Sequence, residues 1–81
     1  MENVAAIVEL FGAAGCPYTS ELREHLQWNA VDFVEYDVDA DAEARSRLKA
    51  LMDGVSSVPV LVEDGKVSQI GWRGRSCALE R

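Results

Sequence analysis

Apolar residues fall into six successive blocks along the chain, and the spacing within each predicts an element. Val4–Phe11, VAAIVELF, is a nearly continuous apolar run broken by Glu9. Its Val, Ile and Phe predict a strand covered on both faces. GAAGC follows as a loop. Pro17 then suits the first position of a helix, where its missing N–H would have no partner anyway. Tyr18, Leu22 and Leu26 recur at one helical spacing and predict a helix to about Trp28. Glu21 and Glu24 are read as early helix residues favoured by the macrodipole. Val31–Asp39 alternates apolar and polar residues and predicts a second strand. Ala40–Gly54 is rich in helix formers, with Ala44, Leu48, Leu51 and Met52 on one side. Asp39 is its candidate cap and Gly54 its stop. Val58–Glu63 and Lys66–Gly71 flank Asp64-Gly65 and predict a hairpin. The tail, RGRSCALER, has room for a short helical turn or none.

The predicted order is therefore βαβαββ in one domain spanning residues 1–81. Alternating β and α units imply a parallel strand pair, and the closing hairpin adds antiparallel strands. The fold class is α/β, with a mixed four-stranded sheet.

Composition narrows what such a domain would do. The chain has 81 residues, is 48% hydrophobic and 27% charged, and carries a net charge of −6. That composition is that of a folded domain. The acidic balance argues against nucleic acid and anionic membrane surfaces as partners, because both need a basic face. The N-terminus has no basic region before its apolar run, and no run approaches the ~20 apolar residues of a membrane span. A cytoplasmic monomer is expected. In that setting the two cysteines, Cys16 and Cys77, start out reduced, and a structural staple is not expected. Two cysteines and one His are too few for a closed zinc site within one chain, so no metal is expected.

Cys16 carries the chemistry. It sits between a loop and the predicted helix, where unpaired N–H groups and the positive end of the macrodipole stabilise a thiolate. Such positions lower a cysteine pKa from ~8.5 to between roughly 3.5 and 7.5. Pro59 opens the third strand. A cis bond before it would leave the Val58 backbone free to pair with an extended peptide. A trans proline at a strand start is equally compatible with the physics.

FGAAGCPYTSELREHL, VDFVEYDVDAD and SVPVLVEDGK together resemble the glutaredoxin family. That family has a thioredoxin-like fold, a C-P-Y-C motif, a D-V-D strand end and a T-V-P cis-proline before a hairpin. The resemblance runs from Val4 to about Gly71. It implies that Cys16 attacks a disulfide and that Tyr18 packs beside it. It also implies that the Val58 backbone holds the cysteinyl part of glutathione. Thr19 stands where the family has its second cysteine. Ala13 and Ser56 replace the usual basic residues, and GWRGR replaces G-G-x-D-D. The usual anchors for the two carboxylates of glutathione are thereby replaced. Arg45, Arg47, Lys49, Arg73 or Arg75 would be the substitutes, and most of them read equally well as solvated surface charges. GWRG (Gly71–Gly74) is similar to S-W-S-G-F in redoxins that take electrons from thioredoxin reductase. The CPYT motif also resembles that of a small bacterial branch in which some members carry selenocysteine in U-P-Y-T.

Three functions follow from this resemblance. In the first, Cys16 alone is the nucleophile on glutathione-mixed or protein disulfides, with glutathione as co-substrate and no cofactor. The Thr19 hydroxyl can donate to its thiolate, or Thr19 is an ordinary helix residue. In the second, Cys77 resolves Cys16 and a thioredoxin reductase supplies electrons, provided the two Cα atoms lie within about 7 Å. In the third, a [2Fe–2S] cluster is carried between two protomers, against which stand the stiff Pro17 and bulky Tyr18. Pro17, Tyr18, Thr19, Val58, Pro59, Gly71 and Trp72 are the expected substrate-contacting residues around Cys16 and Cys77. His25 is expected at the surface, and Trp28 and Trp72 in the partial core.

Overall fold

Val8–Gly12 (β1) lies inside the sheet, which explains why its sequence is apolar at successive positions. In the computed structural model, which describes residues 7–53 and 57–78, β1 pairs parallel with Val34–Asp37 (β2). On its other side it pairs antiparallel with a later strand, Val60–Glu63. Successive β1 side chains point to opposite faces. Leu10 joins Leu22, Leu26 and Leu61 in one cluster. Phe11 joins Val38, Ala44, Leu48, Val60 and Val62 in another. The first cluster contains residues of Pro17–Trp28 (α1) and the second those of Ala42–Leu51 (α2), so the helices cover opposite faces of the sheet.

α1 has the predicted span, and its buried stripe is Thr19, Leu22 and Leu26, with Tyr18 half-buried. Trp28 is a correction. It is 89% exposed at the helix end and belongs to no core cluster. Trp72 does pack against the Leu10 cluster, as expected. Glu21 and Glu24 lie beyond the first turn of α1, where the macrodipole acts most strongly. β2 is shorter than its alternating pattern, because pairing with β1 extends from Val34 to Asp37. α2 starts two residues later than predicted. Its cap is Asp41, not Asp39, and the Asp41 carboxylate accepts from the Glu43 and Ala44 N–H groups. The proposed stop at Gly54 lies outside the described residues, as do residues 4–6 of the predicted first strand.

The predicted third strand is two strands. Ser57–Val58 (β3) is separated from Val60–Glu63 (β4) at Pro59, and the Val58–Pro59 peptide bond is cis. β4 turns through Asp64 and Gly65, both at positive φ, into Lys66–Ile70 (β5). The principal sheet has the order β2-β1-β4-β5 and is mixed, with the thioredoxin-like topology expected from the sequence. The tail makes no helical turn over its described residues. Cys77–Ala78 (β6) pairs antiparallel with β3 in a separate two-stranded sheet.

Candidate active site

Cys16 is the N-cap of α1, with extended backbone at φ −97° and ψ 115°. Its N–H donates to the Ala13 carbonyl at 3.1 Å, and its carbonyl accepts from Thr19 N–H at 3.1 Å. The loop is thus closed at both ends, and the sulfur is held at the start of the helix. Pro17 takes the first helical position, as its fixed φ requires. Cys16 is 2% exposed and packs within the Phe11 cluster, with Tyr18 half-buried against the same cluster.

Thr19 is fully buried, and its hydroxyl oxygen accepts from the Ala13 N–H at 3.4 Å. It therefore braces the loop that carries Cys16. Its hydroxyl is thereby tied to the loop backbone.

Cys77 reaches Cys16 by a sharp reversal of the tail. Gly71 N–H donates to the Pro59 carbonyl at 2.7 Å, which ties the end of β5 to the proline. Gly71 has φ +81°, and a Cβ there would sit 2.6 Å from the Arg75 carbonyl oxygen. Trp72 and Arg75 exchange backbone hydrogen bonds of 2.7 and 3.0 Å. Between them Arg73 and Gly74 have φ of 55° and 78°, the paired positive values of a tight hairpin turn. The GWRG segment is therefore a turn. It sends the chain back along β3, with Cys77 opposite Val58 and Ala78 opposite Ser57.

The result is a Cys16–Cys77 disulfide with a Cα–Cα distance of 6.0 Å, closing a sequence separation of 61. Composition pointed to two reduced thiols; the fold joins them. The Cys16 sulfur lies 3.9 Å from the Val58 carbonyl oxygen. A disulfide sulfur has no proton to donate, so this is a packing contact. Val58 is itself fully buried, and its register partner is Cys77. The expected extended-peptide site on Val58 is occupied by the chain's own tail.

A shallow pocket borders the disulfide, lined by Ala13, Gly15, Cys16, Asp39, Val58, Cys77 and Ala78. Asp39, first read as a helix cap, is one of its walls. The sequence reading missed this role, and it missed β6. The closely spaced glycines of GWRG were the available signal for a reversal. Nothing local in RSCALER marks a strand.

Trp72 packs against His25 with the rings tilted and their centroids 4.8 Å apart, and the Arg73 guanidinium lies 5.3 Å from the Trp72 ring centroid. Tyr18, Glu21, Trp72, Arg73 and Arg75 line a neighbouring groove. Arg47 is committed elsewhere. Both its terminal nitrogens donate to Glu9, at 3.0 and 3.1 Å. Arg45 faces Asp39 at 3.8 Å. Among the described residues, no helix is long and apolar enough to cross a membrane.

The glutaredoxin family model matches residues 8–68. A probable glutaredoxin of Synechocystis is 33% identical over 64 residues, covering 78% of this chain and 59% of that protein. The chain thus spans somewhat under two thirds of that relative. The crystal structure of the thioredoxin-like protein BC3987 is 36% identical with a TM-score of 0.73, covering 82% of this chain and 88% of that one. Glutaredoxin of Archaeoglobus fulgidus is 27% identical with a TM-score of 0.68, covering 90% of this chain and 87% of that one. The likeness in fold, the cysteine at the start of α1 and the family match over most of the chain lead to one conclusion: this chain belongs to the glutaredoxin family.

Proposed function

We propose that this chain reduces protein disulfides with two thiols, Cys16 as the nucleophile and Cys77 as the resolving group. The observation that carries this reading is the Cys16–Cys77 disulfide. With Thr19 in place of the second motif cysteine, the tail supplies the missing thiol from the other end of the chain.

The Cys16 thiolate attacks one sulfur of the substrate disulfide, and the other substrate sulfur leaves as a thiolate and takes a proton. The Cys77 thiolate then attacks the Cys16 sulfur of the mixed disulfide. The second substrate thiolate leaves, and the Cys16–Cys77 bond forms. The substrate gains two electrons and the chain loses them. A dithiol donor, of the kind a thioredoxin reductase maintains, returns them. Asp39 in the pocket wall supports such a donor over glutathione, whose two carboxylates would meet a carboxylate there.

Turnover of a protein disulfide, with parent, Cys16→Ser and Cys77→Ser chains side by side, tests the proposal. Cys16→Ser is expected to lose activity by on the order of 100-fold or more, because the nucleophile is gone. Cys77→Ser is expected to stall with substrate bound to Cys16, visible as a mass adduct. If Cys77→Ser instead turns over like the parent with glutathione alone, the one-thiol cycle operates and Cys77 is not the resolving thiol.

A further inference from the structure

The two sulfurs of the disulfide are not equivalent. Cys16 is 2% exposed and packs among Phe11, Val38 and Val58. Cys77 is half-buried, and its neighbours Ser76 and Ala78 are both exposed. A thiolate displaces a disulfide sulfur from behind, in line with the bond being broken. Attack on Cys16 meets the more buried of the two residues. Attack on Cys77 meets the less buried one, set in a strand whose other residue is exposed. The leaving group favours the same direction. A departing Cys16 thiolate sits at the N-terminus of a twelve-residue helix, where it is stabilised. A departing Cys77 thiolate would leave from a two-residue edge strand with no such support. Lower pKa makes the better leaving thiolate.

We propose that electrons enter the oxidised chain through Cys77 and leave it through Cys16. This rests on the two-thiol reading above. The donor thiolate attacks the Cys77 sulfur, the Cys16–Cys77 bond breaks, and Cys16 departs as a thiolate. The donor's second thiol, having lost its proton, attacks the donor sulfur of the mixed disulfide. Cys77 then leaves as a thiolate and is protonated, and the donor ends as a disulfide. The donor loses two electrons and the chain gains them. Input and output thus use different sulfurs. Donor and substrate therefore need not share a docking face.

The experiment uses the full-length oxidised chain with 2-mercaptoethanol as a monothiol probe. Reaction is stopped at early times by acid and the freed thiol is alkylated. Peptide mass spectrometry then locates the probe. The expected result is probe on Cys77 and alkyl group on Cys16, in excess by on the order of 10-fold. In urea, with burial removed, this preference is expected to collapse. Probe on Cys16 in equal or greater amount at the earliest times overturns the proposal, as does a preference that persists in urea. Intact mass before the probe separates the two failures. A chain that does not lose two hydrogens on oxidation forms no internal disulfide, and then the two-thiol reading itself fails.

Discussion

A Cβ built on Gly12 would run into the Thr19 methyl group and come within 2.9 Å of its hydroxyl oxygen. Gly12 ends β1 and Thr19 lies in the first turns of α1, so this contact sets how closely the cysteine loop sits on the sheet. Gly12→Ala is expected to destabilise the chain by about 1–3 kcal/mol, the cost of overpacking a filled site. Adding Thr19→Ala is expected to recover part of that loss, because the new methyl occupies the space vacated. Urea denaturation of the two single variants and the double variant measures the coupling; strictly additive losses would show that the two residues do not compete for the same space. This pair was only half legible beforehand. Cys16, Pro17 and Thr19 are named by local motif, since loop–Cys–Pro–helix is a property of adjacent residues. The dependence of Gly12 on Thr19 comes from strand–helix packing, which adjacent residues do not encode.

Three elements meet at Glu9. Its carboxylate, on β1, accepts from both terminal nitrogens of Arg47 on α2 and from the Tyr36 hydroxyl on β2 at 3.0 Å. The Arg47 guanidinium also lies over the Phe11 and Tyr36 rings, at 5.3 and 5.7 Å. The hydrogen bonds from Arg47 hold the Glu9 carboxyl below its ordinary value of 4.5, against the opposing effect of burial. A carboxylate with a depressed folded-state pKa adds stability that is fully present above the unfolded value and is lost as pH falls through the folded one. The urea midpoint is therefore expected to drop on acidification below 4.5. Arg47→Ala is expected to cost about 1–2 kcal/mol at neutral pH, the value of charge-assisted bonds reduced for the partial exposure of Arg47. It should also flatten the pH dependence in that window; an unchanged slope would place the dependence on other carboxylates. In the sequence, Glu9 merely interrupts an apolar strand. Its role appears once α2 is laid across the face of the sheet that Phe11 also occupies.

At the scale of the whole molecule, the disulfide ties the start of α1 to the last described strand. Closing a sequence separation of 61 removes loop entropy from the unfolded chain worth about 4 kcal/mol in the chain-entropy account. The oxidised chain is expected to show a higher urea midpoint than the same chain held reduced by excess dithiothreitol. A difference of under about 1 kcal/mol would mean that reduced β6 leaves the unfolded state as constrained as before, or that native geometry opposes the bond. The redox state of the site and the stability of the fold are thereby linked.

The sequence by itself determined the order of the principal elements, the hairpin at Asp64-Gly65, the span of α1 and the placing of Cys16 at its start, and its motifs resemble those of the thioredoxin-like glutaredoxin family. Each of these rests on periodicity or on neighbouring residues, which a linear chain displays directly. Tertiary structure alone decided that Cys77 is the partner of Cys16, that the tail is a strand on Val58, and that Asp39 walls the pocket while Asp41 caps α2. Tertiary structure also left Trp28 in solvent. These outcomes depend on where separate elements are carried relative to one another. The turn at Gly71–Gly74 and the packing of α1 and α2 on opposite faces of the sheet set those positions. Cys16 and Cys77 lie 61 positions apart in the chain and become bonded neighbours through that placement.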